Sequence, residues 1–106
     1  LTRALIHWFR DHYCPTPTLR AAASPWSVAD AQLRGAAPTV VVTAGFDPLR
    51  DEGEAWAARL RAAGARVTAR REPDLVHGFF GMTGAFARAD EAAAALCADL
   101  AAELRA

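Results

Sequence analysis

The chain has 106 residues, the size of one small domain with room for a single core. Twelve basic and twelve acidic residues cancel, which excludes the charge imbalance expected of a nucleic-acid or anionic-membrane partner. All twelve basic residues are Arg and Ala is abundant, a bias that genomic base composition accounts for without any function.

Thr2 to Tyr13 reads as a helix. Leu5, Phe9 and Tyr13 recur at four-residue spacing, Thr2 is the N-cap, and Pro15 and Pro17 end the element. His7 and Asp11 would share one face, but His12 lies about 100° further round, so a solvated polar face is favoured over a metal site. Cys14 to Ala37 is punctuated by Pro15, Pro17, Pro25 and Gly35 and reads as a long connection. A short helical turn is expected near Val28 to Leu33, with Trp26 anchoring the connection to the body.

Thr39-Val40-Val41-Val42-Thr43 is a β-branched run that reads as a strand covered on both faces, broken at Gly45. Asp47 then falls in the turn before a helix running from Leu49 or Asp51 to Ala63. Its stripe is Leu49, Gly53, Trp56 and Leu60; Asp51 and Glu54 have capping-box spacing, and Gly64 closes the element. Arg66 to Arg71 alternates as an edge strand that Pro73 is expected to end. A loop through His77 and Gly81 leads to a last helix, Ala85 to Leu104, with Phe86, Ala89, Ala93, Leu96, Leu100 and Leu104 on its buried stripe.

Of the two cysteines, Cys97 is expected to be a buried free thiol, and neither Cys14 nor Cys97 has metal-ligand spacing. No apolar run approaches the ~18 residues of a membrane span. No signal peptide opens the chain, so a cytoplasmic location is expected. The order of elements is that of the tail of an α/β sheet. Two predicted strands cannot supply the neighbours that Val40 to Val42 need, and two-stranded sheets are marginal in water. Residues 1–106 are therefore expected to be the C-terminal fragment of a single domain, with further strands ahead of Leu1 and sticky apolar surface on the isolated chain.

The chemistry concentrates in two places. Asp47 follows the first strand, and His77, with Gly78 behind it, follows the second. Open α/β sheets place their chemistry beyond the C-terminal ends of their strands. A Ser–His–acid triad needs a base for the nucleophile's proton and a carboxylate to orient that base. In α/β-hydrolases the chain order is Ser, acid, His, which Asp47 and His77 match. Taken alone, an Asp in a turn is more often a cap or an Asx-turn, and a lone loop His is more often unremarkable.

Residues 42–54, VTAGFDPLRDEGE, and 75–80, LVHGFF, closely resemble the C-terminal part of the hormone-sensitive-lipase-like family of α/β-hydrolases, whose bacterial members are carboxylesterases, lipases and acetyl-hydrolases. The helix at residues 2–13, the Ser24-Pro25 segment and the terminal helix stand in the order the resemblance requires. The resemblance implies an α/β fold whose last two parallel strands and flanking helices lie in this chain, with Asp47 as triad acid and His77 as triad base. It implies a small-molecule ester, with short acyl groups favoured, and neither cofactor nor metal. Asp51 and Glu52 match the family motif and are assigned to capping and structural hydrogen bonds; Phe79 and Phe80 either line an acyl pocket or pack. Glu72 and Asp74 stand where members commonly carry an aromatic residue and a Gly.

The family's Gly-Asp-Ser-Ala-Gly-type elbow and His-Gly-Gly segment are absent, and Ser24 and Ser27 lack the glycines an elbow needs. The chain alone is thus expected to have essentially no esterase activity. Homodimerisation through the Arg66–Arg71 edge is a further expectation. Two other readings stand beside the enzyme: a non-catalytic binding protein on the same fold, as plant gibberellin receptors are, and a truncated product without function.

Overall fold

The computed structural model describes residues 1–105. The chain runs α1 (Arg3–Tyr13), α2 (Pro17–Ala23), a 3-10 turn (Pro25–Ser27), α3 (Asp30–Leu33), β1 (Thr39–Phe46), α4 (Arg50–Ala62), β2 (Val67–Val76), a second 3-10 turn (Phe79–Met82) and α5 (Ala87–Arg105). β1 and β2 pair in parallel, Thr39 opposite Val67 through Ala44 opposite Glu72. The expected α/β tail is therefore present: two parallel strands with helices against them.

Alternation along the strands divides the packing. Towards α4, Thr43 meets Gly53, and a Cβ on that glycine would lie 3.1 Å from the Thr43 methyl. Ala57 and Leu60 are buried beside this contact. Thr43 Oγ1 donates to Glu54 (3.1 Å), which also accepts from Arg71 Nε (2.6 Å), tying both strands to the helix. Towards α5, Ala44, Leu75, Phe79 and Ala92 form the apolar cluster, with Val42 against it. The polar side of β2 is not simply wet, because α5 covers it through charge. Thr68 donates to Glu103 (2.8 Å), Arg70 pairs with Asp99 (2.6 Å), and Arg88 pairs with both Glu72 and Asp74.

Several boundaries differ from the sequence expectation for local reasons. β1 does not break at Gly45 but continues to Phe46, and β2 does not stop at Pro73 but continues to Val76. The residues between are irregular: β1 takes two steps from Ala44 to Phe46 while β2 takes four from Glu72 to Val76. Pro73 lies in that bulge, where a residue without an N–H is tolerated. Gly45 lies against it, and a Cβ there would sit 2.0 Å from the Pro73 carbonyl oxygen.

Asp51 and Glu54 form no capping box. Asp51 pairs with Arg50 (2.7 Å) while Glu54 is drawn to Arg71. The α4 C-terminus matches expectation: Gly64, at φ 94°, and Ala65 bond back to Arg61 and Leu60 in a Schellman closure. The 14–37 connection holds two short helices, because Thr16 and Pro17 act as N-cap and first helical residue rather than as a stop.

Trp26 anchors this connection as expected. Its ring meets Trp56 edge-on at 5.5 Å and its Nε1 donates to Glu52 (2.9 Å). Arg59 completes the buckle, stacked 5.5 Å from the Trp26 ring and 5.6 Å from Trp56 and bonded to Asp30 and to the Trp26 and Val28 carbonyls. Cys14 is buried and Cys97 exposed, the reverse of the expectation for Cys97, because Cys97 lies outside the Ala89–Ala92–Ala93 face of α5. The lower half of the α5 stripe is also uncovered, with Leu100 and Leu104 exposed. α1 buries no residue, leaving Leu5, Trp8, Phe9 and Tyr13 bare. No helix among the described residues is long and apolar enough to cross a membrane.

Gly45→Ala forces a methyl into the Pro73 carbonyl and is expected to cost about 3 kcal/mol or more, since backbone on both sides must move. Denaturant unfolding of the protein measures this, and a loss below about 1 kcal/mol contradicts the close approach.

The Arg71 hydrogen bond holds the Glu54 carboxyl below its ordinary value of 4.5, so the unfolded chain takes up a proton there first. This contribution is full above pH 4.5 and is lost as pH falls through the depressed value. In thermal melts below pH 4.5, Arg71→Met should show a shallower acid loss than the wild type; equal slopes would refute the linkage.

Candidate active site

Asp47 is the first residue past β1, and its carboxylate is held by two partners. Oδ1 accepts the backbone N–H of Leu49 (2.8 Å), an Asx-turn that opens α4, while the Asp47 carbonyl accepts from Arg50 N (3.1 Å). Oδ2 is left to face β2, 2.8 Å from His77 Nδ1. The Asp47 side chain is 14% exposed and that of His77 41%. One carboxylate therefore both starts a helix and pairs an imidazole.

The bulge sets the height of His77. With Phe46 opposite Val76, the next residues along the two strands are Asp47 and His77. Had the pairing run on evenly from Ala44 opposite Glu72, Asp47 would face Leu75 and the imidazole would lie two residues beyond. The chain is also pinned on the far side of His77. Gly78 takes the left-handed conformation (φ 79°), and Gly81 N bonds back to its carbonyl (2.9 Å) in the 3-10 turn that follows. Phe79 is buried with Ala44, Leu75 and Ala92, whereas Phe80 is exposed.

A cavity of about 240 Å³ opens here, lined by Asp47, His77, Gly78, Phe79, Phe80 and Leu96 among others. Phe79 packs into the apolar cluster and also lines this cavity, while Phe80 lines it with half its surface in solvent. Electrostatically the arrangement is directional. An Nδ1–H donated to Asp47 leaves Nε2 as the neutral ring's acceptor, free to take a proton from a nucleophile's hydroxyl.

The other polar residues singled out from the sequence lie in other bonds. Asp11 accepts from Arg10 Nε (3.1 Å) and from Arg20 (3.0 Å), and the Arg10 hydrogen bond holds its carboxyl below the usual range. His12 Nδ1 lies 2.7 Å from the Trp8 carbonyl. No three His, Cys, Asp or Glu side chains gather in a metal-binding group among the described residues. Ser27 donates to the Ala21 carbonyl (2.7 Å), and Ser24 is the residue between α2 and the first 3-10 turn. Sequence reasoning missed the Gly45–Pro73 contact and the Arg88 pairings; a proline interrupting an alternating run was the available sign of a bulge.

Comparison with known proteins identifies the family to which the fold belongs. The profile of a family described as having the alpha/beta hydrolase fold matches residues 1–81. The chain is 43% identical over 83 residues to the carboxylic ester hydrolase LipN of Mycobacterium tuberculosis, covering 77% of this chain and 22% of LipN. It is 38% identical over 76 residues to hormone-sensitive lipase of Bos taurus, covering 72% of this chain and 10% of that lipase. A solved structure from work on two fungal esterases of Rhizomucor miehei superimposes with a TM-score of 0.71 at 44% identity, over 76% of this chain and 25% of the esterase. The chain thus spans a quarter or less of the length of each of these relatives. With a matching profile over most of its length and esterases and lipases among its relatives, the chain belongs to the hormone-sensitive-lipase-like family of α/β-hydrolases.

Proposed function

We propose that this chain is the C-terminal portion of a serine carboxylester hydrolase domain and supplies the acid and the base of its triad. The observation that carries the reading is the 2.8 Å bond between His77 Nδ1 and Asp47 Oδ2 at the edge of a cavity. In this mechanism His77 Nε2 takes the proton of a serine hydroxyl contributed by chain ahead of Leu1. The serine oxygen attacks the ester carbonyl, and the alkoxide leaves with the proton that His77 returns. Water then repeats the sequence to release the acid, with Asp47 stabilising the imidazolium each time.

The substrate is a small-molecule ester, with short acyl groups favoured by resemblance. This reading gives the 106 residues alone no measurable hydrolysis, because neither Ser24 nor Ser27 sits on an elbow. Pairing of two copies through the edge of β2 that does not face β1 is part of the same proposal.

In the complete enzyme, Asp47→Asn and His77→Ala are each expected to lower kcat on a short-chain nitrophenyl ester by roughly 10⁴-fold. Activity surviving both changes would remove the mechanism. Nitrogen-15 NMR of the neutral imidazole gives a test independent of turnover: the proton of His77 should reside on Nδ1. A ring protonated mainly on Nε2 would mean that the Asp47 bond does not form.

A further inference from the structure

We propose that Arg88 is a positioning residue for the His77 imidazole, clamping the β2 bulge so that the ring stays level with Asp47. This rests on the reading of His77 as the triad base. The bulge is the weak part of the sheet: between Glu72 and Val76 the chain has left its regular pairing with β1. Something other than the ladder must fix its path, and the Arg88 guanidinium, carried on the first turn of α5, reaches both sides of it.

Nε and Nη2 form a fork on the Asp74 carboxylate (2.8 and 3.0 Å), and Nη2 also pairs with Glu72. Glu72 is buried, at 6% exposure, and has one further partner, Arg70 at 3.1 Å. Paired by Arg88, this carboxylate fixes the strand before the bulge while Asp74 fixes its crest. The Arg88 hydrogen bond also holds the Asp74 carboxyl below its ordinary value. α5 is itself seated by Ala89 and Ala92, both almost fully buried, so the clamp transmits the position of a rigid helix to a segment three residues from His77.

Arg88 acts through these two acids alone, so it should matter only while Glu72 and Asp74 are present.

The test uses the complete enzyme with a short-chain ester. Displacing a base by even 1 Å costs up to about 100-fold in rate, so Arg88→Met should lower kcat at least about tenfold and leave KM within about twofold. The triple variant Arg88→Met, Glu72→Gln, Asp74→Asn has neither clamp nor stranded charge and should stay within about threefold of Arg88→Met. Asp74→Asn, which leaves the buried pair intact, should lower kcat about threefold, and it carries the test if Arg88→Met does not fold.

An unchanged kcat in Arg88→Met, or in Asp74→Asn where it stands in, overturns the proposal. So does a triple variant restored to within about threefold of wild type, which would mean that the arginine only neutralises two acids and positions nothing. Should His77→Ala keep its activity, the triad reading falls instead. The NMR signal of the His77 Nδ1 proton then decides: broadened in Arg88→Met if the clamp positions the ring, unchanged if it does not.

Discussion

The site depends on one constraint of backbone packing, the approach of the Pro73 carbonyl to residue 45. Parallel pairing advances both strands at the same rate, and at that rate Asp47 and His77 would miss each other by two residues. β2 absorbs the difference in a bulge, and the bulge can only lie where it does because residue 45 has no side chain. From that contact follow the register of Phe46 with Val76, the meeting of Asp47 with His77, and the cavity beside them.

The interactions that secure this arrangement are distributed. The apolar cluster under the site is small, and no large side chain among the described residues is fully buried. Charged pairs therefore take a larger share: Arg71 and Glu54 bind α4 to the sheet, and the series on β2 binds α5. Exposed ion pairs contribute little one at a time. Those here share partners and lie across packed elements, which fixes geometry more than it adds stability. The faces of α1 and of lower α5 are bare, and the chain covers a quarter of the matched esterase structure.

What could be read from the sequence was local. The valine run, the Gly64 closure, the α1 boundaries and the Trp26 anchor each depend on a few adjacent residues or on one large side chain seeking cover. The errors share a different cause. Glu54 reads as part of a cap three residues away, because its partner Arg71 becomes a neighbour only when the strands pair. Pro73 reads as a stop unless Gly45 is known to lie against it. Pro17 likewise signals an end or a beginning, and only the hydrogen bond from Leu19 N to the Thr16 side chain decides between them. Leu100 and Leu104 have the right periodicity for burial and no partner layer to receive them. Asp47 and His77 were legible as residues; their alignment was not, since it is set by a bulge two strands must make together.

The way that alignment is held bears on what it is for. A histidine whose side chain is 41% exposed gains little stability from one carboxylate, on the scale of a surface pair. Yet the chain holds the two in register with an irregular strand, a left-handed glycine and a turn that spends half of the Asp47 carboxylate on backbone. Each of these features fixes where the imidazole lies relative to the carboxylate rather than adding stability to the pair. A binding protein on the same fold would need the cavity but not an imidazole oriented by an acid. The orientation, with one ring nitrogen occupied and the other left open, is what proton transfer requires, and it is the physical reason for preferring the hydrolase over the receptor.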